Sequence, residues 1–79
     1  MEEINDIHEL RAKIRLFKFN SRMTYDELAV RAVSYYSIGS QRKYYEWLNK
    51  LMQEKITSDP GYFKTRAILQ VIKDWEREQ

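Results

Sequence analysis

Apolar side chains recur along this chain at steps of three and four residues, the spacing that lines one face of an α-helix. The first such stripe is Ile4, Ile7, Leu10, Ile14 and Phe17, which predicts an amphipathic helix over 3–18. Glu2, Glu3 and Asp6 crowd the positive end of its dipole, and Arg15 and Lys18 sit near the negative end. Arg11, Lys13, Arg15 and Lys18 give its later turns a basic outer surface. Leu16 and Phe19 fall off the stripe, where they either cover the next helix or meet a partner.

A second helix is expected over 24–35. Thr24 and Glu27 have the spacing of a capping box, and Met23 and Leu28 that of a hydrophobic staple. Leu28, Ala29, Ala32, Val33 and Tyr36 then share one face, on which the small alanines let another helix come close. A third helix is expected over 40–56. Ser37 and Ser40 are both suitable N-caps, and Gly39 supplies a positive φ in the turn before it. Tyr44, Leu48 and Leu51 form one apolar row, and Tyr45, Leu48, Met52 and Ile56 the next. Gln41, Arg42, Lys43, Glu46, Asn49, Lys50 and Gln53 fill the polar side. In this ordering Trp47 falls away from the apolar rows and is at least partly exposed.

The segment TSDPGYFK after Ile56 is the strongest break in the chain. It has two readings. Asp59 caps a fourth helix with Pro60 in its first position, or Asp59-Pro60-Gly61 is the tip of a hairpin near 55–65. The helix is preferred, because Ile68, Val71, Ile72 and Trp75 continue an unbroken face over 60–77. The fold class is therefore all-α: a compact four-helix domain, residues 1–79, whose central pair carries most of the signal. Its core is expected to draw on Ile7, Leu10, Ile14, Phe17, Leu28, Ala32, Leu48, Leu51, Met52, Ile68, Ile72 and Trp75.

Composition narrows the class further. A chain of 79 residues supports one core with a thin stability margin. It has no cysteine, so no disulfide or thiolate chemistry, which points to a cytoplasmic location. No apolar run approaches the roughly 20 residues of a membrane span. The opening MEEINDIHEL reads as an acidic helix rather than a signal peptide. Fourteen basic and twelve acidic residues leave a net charge of +2, too mild to imply nucleic acid alone. Two tryptophans, six tyrosines and three phenylalanines exceed what one small core holds, so some lie at a surface or interface.

From Thr24 to Ile56 the order TYDELA, a short turn, then SQRKYYEWLNKLMQEKI resembles helix-turn-helix domains, including their winged relatives. The resemblance implies a DNA-binding regulator whose second helix of the pair enters the major groove. Carried over by position, Gln41, Arg42 and Tyr45 would meet base edges, and Ser40, Lys43 and Lys50 would face phosphates. A winged variant would carry the hairpin near 55–65.

Catalysis finds no motif. His8 is the single histidine, beside the apolar stripe of the first helix, and no glycine-rich phosphate loop or metal-ligand spacing occurs. No cofactor and no enzyme activity are expected. Two binding readings stand side by side. In one, Arg31, Arg42, Lys43 and Lys50 make a basic footprint for double-stranded DNA, interleaved with aromatics. In the other, the chain is an inhibitor or adaptor that grips a protein partner through Trp47, Tyr35 and Tyr36. The same surface would serve a homodimer.

Overall fold

Four helices follow one another in the computed structural model: α1 (Ile7–Ser21), α2 (Tyr25–Val33), α3 (Gln41–Met52) and α4 (Tyr62–Arg77). The structure describes residues 6–35, 39–57 and 59–79, and there is no strand among them. The all-α class holds, and the hairpin alternative does not: Tyr62 to Thr65 form the first turn of α4. No helix of the described residues is long and apolar enough to cross a membrane.

Each boundary has a local cause. Asp6 caps α1, its carboxylate accepting from the N–H of His8 at 2.9 Å. The expected start at residue 3 lies outside the described residues. The far end of α1 runs past Lys18 to Ser21. There Arg22, at φ 61°, turns left-handed and donates its N–H to the Lys18 carbonyl. Thr24 caps α2 as its spacing implied, accepting from the N–H of Glu27 at 3.2 Å. Of the capping box this is the half the structure contains: the Glu27 carboxylate pairs forward with Arg31, at 3.2 Å. Met23 and Leu28 are both buried, as a staple requires.

Ser40 caps α3, accepting from the N–H of Lys43 at 3.2 Å, and Gly39 takes φ 102° before it. The other N-cap candidate, Ser37, lies outside the described residues. α3 stops four residues short of the expected end. Glu54 is left-handed, at φ 61°, and donates to the Leu51 carbonyl, while Lys55 donates to that of Lys50. That pair of bonds is a Schellman closure, formed here without the usual glycine. α4 starts two residues later than expected. Asp59 does not cap it but accepts from the N–H of Gly61 at 2.9 Å, and Gly61, at φ 98°, holds the cap position without a side-chain bond.

α2 sits in the middle, packing chiefly against α3 and α4. Leu28, Ala29 and Ala32 have no exposed surface, the close approach their small size allows. The core also takes Leu10, Ile14 and Phe17 from α1, Tyr44, Trp47, Leu48 and Leu51 from α3, and Ala67, Ile68, Val71 and Ile72 from α4. Ile7, Met52 and Trp75, expected inside, are half-buried around it. Trp75 meets the edge of Phe17 with ring centroids 5.3 Å apart, joining the late turns of α1 and α4.

Arg11 corrects the expected basic surface of α1. It is 2 % exposed. Its Nε donates to the Leu51 carbonyl at 2.7 Å, and its Nη2 to the carbonyl of Ile56. Nη1 lies 3.4 Å from His8 Nδ1. The guanidinium thus occupies the negative end of the α3 dipole, adding a second bond to the Leu51 carbonyl and one to the carbonyl of Ile56 beyond the helix. Replacing Arg11 by methionine keeps much of the volume and deletes the donors. Losing both charge-assisted bonds should cost about 2–3 kcal/mol, read by urea denaturation; a loss under about 0.5 kcal/mol, the range of ordinary surface changes, would show that these bonds contribute nothing.

Candidate functional site

The outward side of α3 is built by what its inner side buries. Tyr44, Trp47, Leu48 and Leu51 follow at steps of three, one and three residues and face the core. This forces Gln41, Arg42, Lys43, Glu46, Lys50 and Gln53 to the surface, where all are exposed. Of the residues singled out for nucleic acid, Ser40, Gln41, Arg42 and Lys43 are therefore brought together on the first turn. Lys50 follows two turns later on the same helix. Tyr45 is half-buried against the core at the edge of this face. Arg42 approaches Glu46 at 3.9 Å with most of its side chain in water, a pair of little energetic weight.

Arg31 lies elsewhere. It stands near the end of α2, paired with Glu27, and lines a cleft of about 420 Å³ with Ser34, Tyr35, Val71, Asp74, Arg77 and Glu78. Charges of both signs meet there. Asp74 accepts from the Tyr35 hydroxyl, from Gln70 Nε2 at 2.9 Å and from Arg77 at 2.6 Å. These bonds, Tyr35 foremost, hold the Asp74 carboxyl below its usual range. The same bond raises the Tyr35 phenol, with burial and the Asp74 charge adding to it. Among the described residues no group of three His, Cys, Asp or Glu side chains is arranged to hold a metal ion.

The aromatic anchor set does not assemble. Trp47 is 6 % exposed, and its indole N–H donates to the Pro60 carbonyl at 2.9 Å. The expectation that it falls away from the row Tyr44, Leu48 and Leu51 was wrong: three residues after Tyr44 and four before Leu51, Trp47 shares their side of the helix. The row Tyr44, Trp47, Leu48, Leu51 is the true centre, and Tyr45 and Met52 are its edge. Tyr44 lies against Trp47, ring centroids 5.0 Å apart, and donates its hydroxyl to the Lys64 carbonyl at 2.7 Å. Burial raises the Tyr44 phenol strongly. The two rings therefore seat the turn that opens α4, and are structural. Tyr35 is exposed but held by Asp74, and Tyr36 lies outside the described residues.

Comparison with known proteins adds no relative: no family model, curated protein or solved structure matches the chain.

Trp47→Ala should act on folding, costing roughly 3–5 kcal/mol; a variant that melts with the parent would return Trp47 to the candidate surface. Tyr35→Phe should act on pH dependence. A carboxyl lowered by folding contributes stability that is complete above its unfolded pKa, about 3.9, and is lost as pH falls through its folded value. Melting temperatures from pH 7 down to pH 2 should therefore drop less steeply in Tyr35→Phe. Superimposable acid limbs would mean the Tyr35–Asp74 bond carries none of this linkage.

Proposed function

We propose that this domain is a small non-enzymatic DNA-binding protein of helix-turn-helix type, acting as a regulator, with α3 as its contacting helix. The observation that carries the reading is the division of α3: one side locked into the core by Tyr44, Trp47, Leu48 and Leu51, the other presenting Gln41, Arg42, Lys43 and Lys50 to solvent. A rigid helix with an exposed, cation-bearing first turn is what major-groove entry needs. The unpaired N–H groups of that turn add partial positive charge beside Arg42 and Lys43.

The roles divide by chemistry. Gln41 is an amide suited to adenine, and Arg42 a fork suited to guanine. Lys43 and Lys50 neutralise phosphates, and the Ser40 hydroxyl keeps a proton to donate while its oxygen caps the helix. Tyr45, half-buried, would meet a base edge only with its outer rim. Arg31, held by Glu27 on α2 and lining the cleft with Asp74 and Arg77 of α4, plays a lesser part. The protein-partner alternative resting on Trp47 loses its anchor to burial.

The test is fluorescence polarisation with random-sequence duplex DNA across a salt series. Each phosphate contact removed lowers the slope of log K against log salt by about 0.9. Arg42→Ala with Lys43→Ala should therefore weaken binding at low salt and flatten the salt dependence by one to two contacts' worth. An unchanged slope in the double variant, or no binding of the parent at low salt, sinks the groove-docking model.

A further inference from the structure

Tyr62 and Phe63, on the first turn of α4, stand in open water, 64 % and 56 % exposed. Their rings meet edge to face with centroids 5.2 Å apart, and the Arg66 guanidinium lies 5.3 Å from the Tyr62 ring. Among the described residues of α3 and α4, no other large apolar side chain is left exposed. The pair is therefore not the rim of a wider apolar face. Its chain neighbourhood is cationic: from Pro60 to Lys73 there are Lys64, Arg66 and Lys73 and no carboxylate. Asp59, just before, accepts from the N–H of Gly61.

The contacts of Trp47 place this pair beside α3. Lys43 lies four residues before Trp47 and Lys50 three after, so both stand on the Trp47 side of that helix. Against the same side the Pro60 carbonyl accepts from the Trp47 indole at 2.9 Å, and Lys64 Nζ lies 5.9 Å from its ring. One turn earlier the Tyr44 hydroxyl holds the Lys64 carbonyl. The first turn of α4 is thus laid along the lysine-bearing edge of α3. Exposed aromatic rings beside cations suit a ligand whose units each bring a flat π-face and a negative charge, which is a nucleotide strand. Tyr44 and Trp47, interleaved with the cations of α3, are buried and cannot stack. A protein partner fits poorly: a specific interface buries about 800 Å² on each side, and two rings among cations offer little of it. A bilayer surface needs a broad apolar helix face, and that of α4 is in the core.

We infer that the start of α4 is a stacking platform for an unpaired strand of nucleic acid, with Tyr62 and Phe63 taking base faces and Lys64, Lys43 and Lys50 following the phosphates. Arg66, against the Tyr62 ring, adds a cation to the platform. The bases are held by their faces, so the site tolerates any sequence. Duplex DNA offers no such faces, because its bases are stacked on one another. The platform shares Lys43 and Lys50 with the duplex-binding reading but neither Gln41 nor Arg42, so either can fail alone.

The probe is a labelled oligothymidine of about 12 nucleotides, within the span of a small single-strand site. An abasic strand of equal length has the same charge and no base faces. In fluorescence polarisation at low salt, the full chain should bind oligothymidine at least about fivefold more tightly than the abasic strand. Tyr62→Ala with Phe63→Ala should abolish that preference, with helix content, melting temperature and duplex affinity unchanged. Tyr62→Phe, which keeps the ring, should retain it. Lys64→Gln should flatten the salt slope for oligothymidine by about 0.7. Equal binding of the two strands, no binding of either, oligothymidine affinity untouched by removal of the rings, or an unchanged slope in Lys64→Gln overturns the inference. So does an equal fall in duplex affinity when the rings are removed, or binding to phosphatidylserine vesicles that their removal abolishes.

Discussion

A cation taken out of water has to find its compensation nearby, and Arg11 finds it in backbone. Its side chain leaves α1, enters the interior and ends on the carbonyls of Leu51 and Ile56, one in the last turn of α3 and one in the segment beyond it. Leu51 already accepts from Glu54 in the left-handed closure of that helix, so Arg11 takes a second lone pair of the same oxygen. The consequence is positional. α3 cannot lengthen at its far end without displacing Arg11, and α1 cannot rotate about its axis without stranding a buried charge. The spacing of the first helix and the last turn of the third are held as a unit, and the outward face of α3 is aimed by it.

The other end of α3 is fixed by a different means. Trp47 and Tyr44 each turn a polar tip onto a backbone carbonyl, of Pro60 and Lys64. An apolar body with one hydrogen-bonding tip is well suited to seat a loop against a core. α3 is therefore bonded at its far end by a guanidinium from α1 and along its inner face to the start of α4. The side left over is the one that carries Gln41, Arg42 and Lys43.

What the chain made legible follows the range of the interaction. Caps at Thr24 and Ser40, the positive φ of Gly39 and the core stripe Leu10, Ile14, Phe17 are set within a few residues and were readable from spacing. The end of α3 was not, because Glu54 adopts a left-handed turn that glycine ordinarily marks. Arg11 was read as surface because its charge was weighed above its position, four residues after Ile7 and three before Ile14; that placement inside the apolar stripe was the available signal. Trp47 was misread as outside the row Tyr44, Leu48, Leu51, although its position three residues after Tyr44 and four before Leu51 was the available signal. The exposed cations of α3 were found for the right reason: whatever lies opposite a buried row must face solvent.

The most central helix is also the shortest. α2 has nine residues, fewer than an isolated helix needs to hold its shape in water. Yet Leu28, Ala29 and Ala32 are what α3 and α4 close upon. The keystone can exist only once its neighbours are in place, and the neighbours have little to pack against until it does. Such mutual dependence removes half-folded intermediates: the domain should assemble in one all-or-none step, α2 gaining lasting structure only together with the helices around it.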